Sequence, residues 1–220
     1  MGNEQAEYWS TVAQRYDRIV DLQIGANARA LVRDRVAQEG RLGRLAEFGC
    51  GSGFFTQVLA DKADSLVATD LSPGMLALAR QRVTAAHVTF QLEDCERTSL
   101  PDASFDAAFV SLVLHFTEPV ATLAEMHRIL KPGGTLLIVN LDPLALTGLD
   151  RVRCLIRVVY QGVAGYRAKP PKGFGKNLLT EQHLRRLLAE AGFDVVAVET
   201  IRDPARSSSI PLEYVRARRV

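Results

Sequence analysis

Three glycines at alternate positions follow a short apolar segment near residue 50, and this feature constrains the fold most. Leu45-Ala46-Glu47-Phe48 is typical of a strand, Gly49-Cys50-Gly51-Ser52-Gly53 follows it, and a helix is expected over 54–62. Glycine adopts backbone angles that other residues avoid, and it lets a ligand approach closer than a Cβ would permit. The pattern predicts a binding turn for a nucleoside-bearing ligand, although a plain turn between strand and helix remains an alternative.

A second apolar segment ends on an acid. Residues 65–70 are typical of a buried parallel strand that closes on Asp70, and Ser72 with Pro73 favours the start of a helix. Asp70 lies 19 residues beyond Gly51, and nucleotide-binding βαβ units place a ribose-binding acid at an offset of about 20. A carboxylate accepts hydrogen bonds from both hydroxyls of a ribose. We therefore predict that Asp70 binds a ribose, with a solvated turn acid as the alternative.

The alternation of strands and helices continues along the chain. Further strands are expected over 88–92, 105–111, 135–140, 194–199 and 212–218, and helices over 4–20, 26–38, 74–83, 118–130, 147–160 and 181–191. This alternation predicts an α/β fold with a doubly wound, mostly parallel sheet. Ligands of such folds bind beyond the carboxyl ends of the strands, where Asp94 and Cys95 follow the third strand and Ser111 ends the fourth.

Length and composition fit a single domain over residues 1–220. The chain is 47% apolar and 24% charged, and its net charge of +2 gives no general reason to expect nucleic acid or an anionic membrane as a partner. Three widely spaced cysteines indicate reduced thiols rather than disulfides or a zinc site, so no metal is expected. No apolar run reaches the roughly 18 residues that span a bilayer, and we expect a cytoplasmic protein without membrane insertion.

Residues 1–40 are expected to form a helical segment before the sheet. Within it, Trp9 and Tyr16 share one face of the helix predicted over 4–20. This aromatic face either packs on the domain or closes over a ligand as a lid.

Residues 141–180 interrupt the rhythm of strands and helices. Between 151 and 176 the chain has seven basic residues and no acidic one, interleaved with apolar and aromatic residues. The stretch favours an anionic or lipid-like ligand on the substrate side, with a solvated surface as the alternative.

The motifs together resemble those of class I S-adenosylmethionine-dependent methyltransferases, more narrowly the small-molecule branch that includes the quinone-biosynthesis methyltransferases. The resemblance covers most of the chain and depends on residues 47–53, 69–76, 92–95, 104–109 and 125–134. It implies a Rossmann-like, seven-stranded sheet between two helix layers, an antiparallel last strand and S-adenosylmethionine as cofactor.

The resemblance also implies roles for single residues. In that family the glycine turn holds the methionine part of the cofactor, the acid after the second strand holds the ribose, and the acid after the third meets the adenine amine. Tyr16 falls where the family often has a Tyr-Asp pair near the cofactor's carboxylate. The predicted cofactor-binding residues are Tyr16, Glu47, Gly49, Cys50, Gly51, Gly53, Asp70, Leu71, Met75, Asp94, Cys95 and Ser111.

Two residues near the turn separate this cofactor from a dinucleotide. A pyrophosphate requires the spacing G-x-G-x-x-G, and Phe54 stands where the third glycine would be. Glu47 is a candidate partner for the amino group of the cofactor, with a buried cap on a backbone amide as the alternative. A dinucleotide-dependent oxidoreductase is therefore the least favoured alternative, behind a noncatalytic S-adenosylmethionine-binding regulatory protein.

Methyl transfer from a sulfonium needs placement of the acceptor and exclusion of water more than a strong catalytic group. If a base is used, His115 is the candidate, although a core or surface histidine is an alternative reading. The segment 111–114, Ser-Leu-Val-Leu, lacks the signature of enzymes that methylate DNA amino groups, so a small organic acceptor is expected rather than nucleic acid. The predicted acceptor pocket contains Trp9, His115, Asn140, Tyr160 and Tyr166, with Phe174 as a further candidate.

Overall fold

Seven strands form one sheet. The computed structural model describes residues 2–165 and 177–220, and side chains within 4–156 and 177–220. The strands are β1 (Gly43–Phe48), β2 (Ala63–Asp70), β3 (Val88–Leu92), β4 (Phe105–Ser111), β5 (Leu130–Leu141), β6 (Phe193–Ile201) and β7 (Leu212–Arg219). Their order is 3-2-1-4-5-7-6. Strands β1 to β5 pair in parallel, and β7 runs antiparallel to β5 and β6, which confirms the predicted fold.

Helices cover both faces of the sheet. They are α1 (Gly2–Val12), α2 (Tyr16–Ile24), α3 (Ala26–Ala37), α4 (Phe54–Ala60), α5 (Pro73–Arg82), α6 (Pro119–Ile129), α7 (Gly148–Gly165) and α8 (Glu181–Glu190). Short 3-10 helices occupy Ala13–Arg15, Leu114–Phe116 and Pro143–Ala145. Within the described ranges, no helix combines the length and the apolar character needed to cross a membrane.

The core consists of two apolar layers, one on each face of the sheet. Leu123, Met126 and Leu188 of α6 and α8 are fully buried in one layer. Val32 and Leu59 of α3 and α4 are fully buried in the other. Because burial stabilises by about 25 cal/mol per Å² of apolar surface, the two layers hold the sheet, and therefore the ends of its strands, in fixed positions.

The predicted helix over 4–20 is wrong in one respect, because it is broken. The 3-10 helix Ala13–Arg15 separates α1 from α2. Each part has its own neighbour, since α1 packs on α5 and α2 packs on α3. Ser10 of α1 also hydrogen-bonds Ser72, with 2.8 Å between the two Oγ atoms. One straight helix cannot pack on both α5 and α3. The predicted helical character of residues 4–20 is therefore correct, but the prediction of a single continuous helix is not.

Strand β5 begins earlier than the predicted residue 135. Leu130 pairs with Phe105, and the register then shifts so that Thr135 pairs with Ala107. Residues 131–134, which include Pro132, therefore form a bulge inside the strand. The proline and glycines of this stretch mark a bulge rather than the end of a loop.

The order of the strands brings three carboxyl ends together. Phe48, the last residue of β1, lies in register with Thr69 of β2 and Val110 of β4. The turns after β1, β2 and β4 therefore lie side by side, at the point where the sheet changes winding direction. This is the position at which open α/β sheets bind their ligands.

Candidate functional site

The turn after β1 needs glycine for two measurable reasons. Gly49, Gly51 and Gly53 have φ of 66°, 54° and 80°, a region that side chains disfavour. A Cβ on Gly49 would lie 2.4 Å from Cγ2 of Val113, and one on Gly51 would lie 3.1 Å from Cε1 of Tyr16. The turn is therefore closely covered by neighbouring side chains, and its shape depends on the missing Cβ atoms.

Asp70 is held at the end of β2 by backbone amides. Its Oδ2 accepts a hydrogen bond from the Gly51 N–H at 2.8 Å, and its Oδ1 accepts one from the Ser72 N–H at 2.8 Å. Burial raises the pKa of Asp70 to about 6, against the lowering effect of these backbone hydrogen bonds. Ser72 in turn caps α5, since its Oγ accepts from the Met75 N–H, as predicted. The carboxylate of Asp70 thus connects the turn after β1 to the turn after β2.

A first cavity opens above these two turns. It brings together residues from the N-terminal helices and from the ends of β1, β2, β3 and β4. The predicted site residues that line it are Trp9, Tyr16, Gly49, Gly51, Asp70, Leu71, Met75, Asp94 and Cys95. The segment that follows β4 also lines this cavity, through Leu112, Val113 and Phe116. The sequence prediction therefore located most members of one continuous cavity.

A second cavity lies beside the first and shares part of its wall. Trp9, Tyr16, Leu112 and Phe116 line both cavities. His115, predicted as a catalytic candidate, lines the second cavity. Its side chain is 93% buried, and burial lowers the pKa of its ring to about 4. The imidazole is therefore neutral at physiological pH.

A third cavity lies beneath the glycine turn and contains three further predicted residues, Glu47, Cys50 and Ser111. Glu47 is 2% exposed and accepts a hydrogen bond from the Thr56 hydroxyl at 2.6 Å. Burial raises the pKa of Glu47 to about 8, and the charge of Asp70 adds to this rise. The site therefore favours a neutral carboxylic acid, which does not form an ion pair with an ammonium group.

Two predicted residues occupy other positions. Gly53 and Asn140 are not among the described residues that line the three cavities. A Cβ on Gly53 would lie 3.0 Å from Cα of Ala79, so this glycine permits close packing on α5. Asn140 donates both amide hydrogens inside the fold, to the Leu179 carbonyl at 2.8 Å and to Oε2 of Glu213 at 2.9 Å. The amide of Asn140, predicted as part of the acceptor pocket, is therefore used inside the fold.

Other predicted residues lie beyond what the structure describes. The side chains of Tyr160, Tyr166 and Phe174 lie outside the described residues. The side chains of the basic segment 151–176 are also outside the described residues from residue 157 onward. The role of this segment therefore stays a prediction. Arg151 and Arg153 are described, and both are exposed on α7.

Arg29 is a site residue that sequence reasoning missed. It lines the third cavity, is 7% exposed, and lies 4.0 Å above the ring of Phe54. It forms ion pairs with Asp17 and Asp21, each at 3.0 Å. The signal was present, because Arg29 stands on the face of α3 that buries Val32. A cation on an otherwise apolar helix face requires a buried anion.

Asp17 fastens the N-terminal helices to the glycine turn. Its Oδ1 accepts from the Ser52 hydroxyl at 2.7 Å, and its Oδ2 pairs with Arg82 at 2.6 Å. Although burial opposes this, hydrogen bonds from Arg82 and Ser52 keep the pKa of Asp17 below its ordinary value. The neighbouring Tyr16 covers Gly51, and burial together with the charge of Asp70 raises its pKa, so the phenol stays neutral. These contacts hold Tyr16 and the N-terminal helices against the glycine turn.

Comparison with known proteins agrees with this geometry. Residues 46–138 match the methyltransferase domain family. A malonyl-[acyl-carrier protein] O-methyltransferase of Serratia marcescens is 37% identical over 137 residues, which are 62% of this chain and 52% of that protein. A demethylmenaquinone methyltransferase of Deinococcus radiodurans is 33% identical over 151 residues, covering 64% of this chain and 62% of that protein.

A solved structure extends the likeness to nearly the whole sheet. The S-adenosylmethionine-dependent methyltransferase of Mesorhizobium loti superposes with a TM-score of 0.67 at 25% identity, over 88% of this chain and 99% of that one. The chain spans about half to two thirds of the length of the two named relatives. The resemblance seen in the motifs is confirmed, since residues 46–138 match the methyltransferase domain family and the fold is similar to that of an S-adenosylmethionine-dependent methyltransferase.

Proposed function

We propose that the protein transfers a methyl group from S-adenosylmethionine to a small organic acceptor. The observation that carries this proposal is the fixed carboxylate of Asp70, which joins the glycine turn to the second turn and faces the first cavity. The carboxylate of Asp70 has about four lone-pair sites, and the backbone amides of Gly51, Ser72 and Leu71 use three of them. It can therefore still accept a hydrogen bond from a ribose hydroxyl.

The residues of the first and third cavities fit the parts of this cofactor. Leu71 and Met75 offer apolar contacts to an adenine ring, and Asp94 supplies an acceptor for its amine. Gly49 and Gly51 let Val113 and Tyr16 pack closely over the turn that would hold the methionine part. Arg29, beneath the turn, is the nearby buried cation for a carboxylate, whereas the neutral Glu47 accepts a hydrogen bond from an amino group.

The chemistry then follows from placement. When bound, the cofactor supplies an activated methyl group and its leaving group, so the reaction is an in-line displacement by the acceptor. The chain's own residues orient the acceptor and exclude water. Trp9 and Phe116, whose ring centroids lie 5.0 Å apart, form part of the wall that the first and second cavities share. His115 is proposed to receive a proton where the acceptor must lose one.

The chemical class of the acceptor has two alternatives. One of the relatives described above is named as an O-methyltransferase of malonyl-[acyl-carrier protein], and the other as a methyltransferase of demethylmenaquinone. The similarity to these proteins therefore does not identify one acceptor. The basic segment 151–176 favours an anionic acceptor, whereas its apolar residues favour a lipid-like one. We expect neither nucleic acid as acceptor nor insertion in a membrane, and we place the enzyme in the cytoplasm.

Two other functions are less favoured. A noncatalytic S-adenosylmethionine-binding regulator would have no need of the second cavity that adjoins the first. A dinucleotide oxidoreductase needs space after Gly53, where the ring of Phe54 packs beneath Arg29. Calorimetric titration with S-adenosylmethionine, S-adenosylhomocysteine and NAD separates these functions from one another when combined with a screen for methylated products.

The sharpest version of this titration compares two substitutions on β2. Asp70→Ala removes the proposed ribose contact, and we expect the affinity for S-adenosylhomocysteine to fall at least about 100-fold, since it removes charge-assisted hydrogen bonds. Asp64→Ala, on the exposed beginning of the same strand, should leave the affinity unchanged. Binding of NAD alone, or equal affinity for S-adenosylhomocysteine in both variants, would contradict the proposal.

A further inference from the structure

The second cavity is built from apolar side chains. Apart from the four residues that it shares with the first cavity, its described lining consists of Ile19, Val20, Gln23, Ile24, His115 and Leu141. Most of these come from α2, which the ion pairs of Asp17 and Arg29 hold against the domain. The cavity is therefore part of the folded structure and adjoins the place proposed for the reacting methyl group.

None of the described residues that line this cavity carries a charge. The imidazole of His115 is neutral there, for the reason given above. A carboxylate or phosphate placed in the cavity would lose its hydration without gaining an ion pair from any of these described residues, which costs several kcal/mol in proteins. An uncharged molecule enters without this cost. The described part of the lining thus favours an uncharged molecule over an anionic one.

His115 supplies the cavity with an uncommitted polar group. Its ring packs against Phe116, with 3.8 Å between the centroids, and it is 7% exposed. Among the described residues, no hydrogen-bond partner is found for its nitrogens, although other buried polar side chains of the site, such as Thr56 and Asp17, have them. A neutral imidazole has one N–H donor and one nitrogen acceptor. Since His115 lines the cavity, a hydroxyl group of a molecule in the cavity can become the partner of its acceptor nitrogen.

We propose that the second cavity is the acceptor site and that it takes an uncharged, largely apolar molecule whose hydroxyl donates a hydrogen bond to the free nitrogen of His115. This inference rests on the proposed function, since it assigns the acceptor's place beside the cofactor. It also gives His115 a contact with the acceptor itself. The apolar wall then determines which hydroxyl compounds enter, and His115 determines how they are oriented.

Three small probes that share one methyl-substituted benzene ring test the selectivity. Calorimetric titrations of the protein saturated with S-adenosylhomocysteine would use 4-methylphenol, toluene and 4-methylbenzoate at pH 7. We expect 4-methylphenol to bind about fivefold tighter than toluene, because one neutral hydrogen bond is gained. We expect 4-methylbenzoate to bind at least about tenfold more weakly than 4-methylphenol, because its charge has no partner.

Two variants connect this selectivity to the cavity. His115→Leu should abolish the advantage of 4-methylphenol over toluene, whereas His183→Leu on α8 should preserve it. Tighter binding of 4-methylbenzoate, equal binding of all three probes, or no binding of 4-methylphenol up to its solubility limit would overturn the inference. Should His115→Leu fail to fold, the comparison of probes on the unaltered protein still decides it. Failure of the proposed function is recognised separately, by the absence of S-adenosylhomocysteine binding.

Discussion

The first and second cavities meet at Trp9 and Tyr16 but are constructed in opposite ways. The first depends on backbone groups, since amides of Gly51 and Ser72 hold the carboxylate of Asp70. The second depends on the shapes of side chains from α2 and its neighbours. A site made of backbone geometry tolerates few substitutions, whereas one made of apolar side chains can change its ligand by small changes of size. The difference explains how one cofactor site can serve many acceptors.

The largest effect is expected from a methyl group added to the glycine turn. Gly51→Ala places a Cβ 3.1 Å from the ring of Tyr16 at a φ of 54°, so the turn must move and the amide that holds Asp70 moves with it. We expect the affinity for S-adenosylhomocysteine to fall about 100-fold, or about 3 kcal/mol. Calorimetry measures this loss.

Gly133→Ala is the matched control for that substitution. Gly133 has a φ of 75°, but a Cβ there would have no neighbour within 4 Å. The variant is therefore expected to have a similar backbone strain, of about 1 to 2 kcal/mol. Gly133 is not among the described residues that line the three cavities. An equal loss of cofactor affinity in both variants would mean that backbone strain in general, and not the contact between residue 51 and Tyr16, weakens cofactor binding.

A smaller effect concerns the pH dependence of stability. The pKa of Glu47 is raised by burial from 4.5 to about 8, so the folded state holds a proton that the unfolded state releases above about pH 4.5. Stability from this group is therefore present at low pH and is lost as the pH rises towards about 8. Glu47→Gln has no proton to lose, so its stability relative to the natural protein should improve by about 2 kcal/mol between pH 6 and 8.

Urea unfolding at several pH values checks this sign. Glu190→Gln is the control, because Glu190 is an exposed residue of α8 paired only distantly, at 3.9 Å, with Arg186. Its stability relative to the natural protein should change little over the same range. A difference for Glu47→Gln that shrinks as the pH rises would show that this carboxyl is ionised in the folded protein.

The smallest effect concerns the contact between the N-terminal helices and the turn. Asp17→Asn weakens the links to Ser52, Arg82 and Arg29. We expect S-adenosylhomocysteine to bind about tenfold more weakly, or about 1.4 kcal/mol, because Tyr16 is then less firmly placed over the turn. Limited proteolysis should also cut residues 2–24 faster. Asp34→Asn, on the exposed surface of α3, should have neither effect, and identical behaviour of the two variants would contradict the role of Asp17.

The contrast between the cavities also explains what the sequence could predict. The glycines of the turn, Asp70 and the helix cap Ser72 are set by backbone angles and by neighbours close in sequence, so their pattern was visible without a structure. The alternation of strands and helices predicted the parallel, doubly wound sheet, and the family resemblance implied the antiparallel last strand. The turn residues of the first cavity could therefore be predicted, whereas Gln5, Phe116 and Thr117, which also line it, were not.

The remaining residues depend on contacts distant in sequence. The position of Arg29 on the buried face of α3 indicated that it needs an anion, but only the fold shows that α2 brings Asp17 and Asp21 to it. Asn140 looked available at the end of β5, but Glu213 on the neighbouring strand β7 accepts its amide hydrogen. The break at Ala13–Arg15 likewise reflects two packing partners. Such features require the tertiary arrangement before they can be predicted.

The most direct test of the account is a crystal structure of the protein with S-adenosylhomocysteine. The account predicts the ribose hydroxyls within hydrogen-bond distance of Asp70, the adenine between Leu71 and Met75, and the sulfur directed past Trp9 and Tyr16 towards the second cavity. A nucleoside bound away from Asp70, or a sulfur directed away from the second cavity, would contradict it.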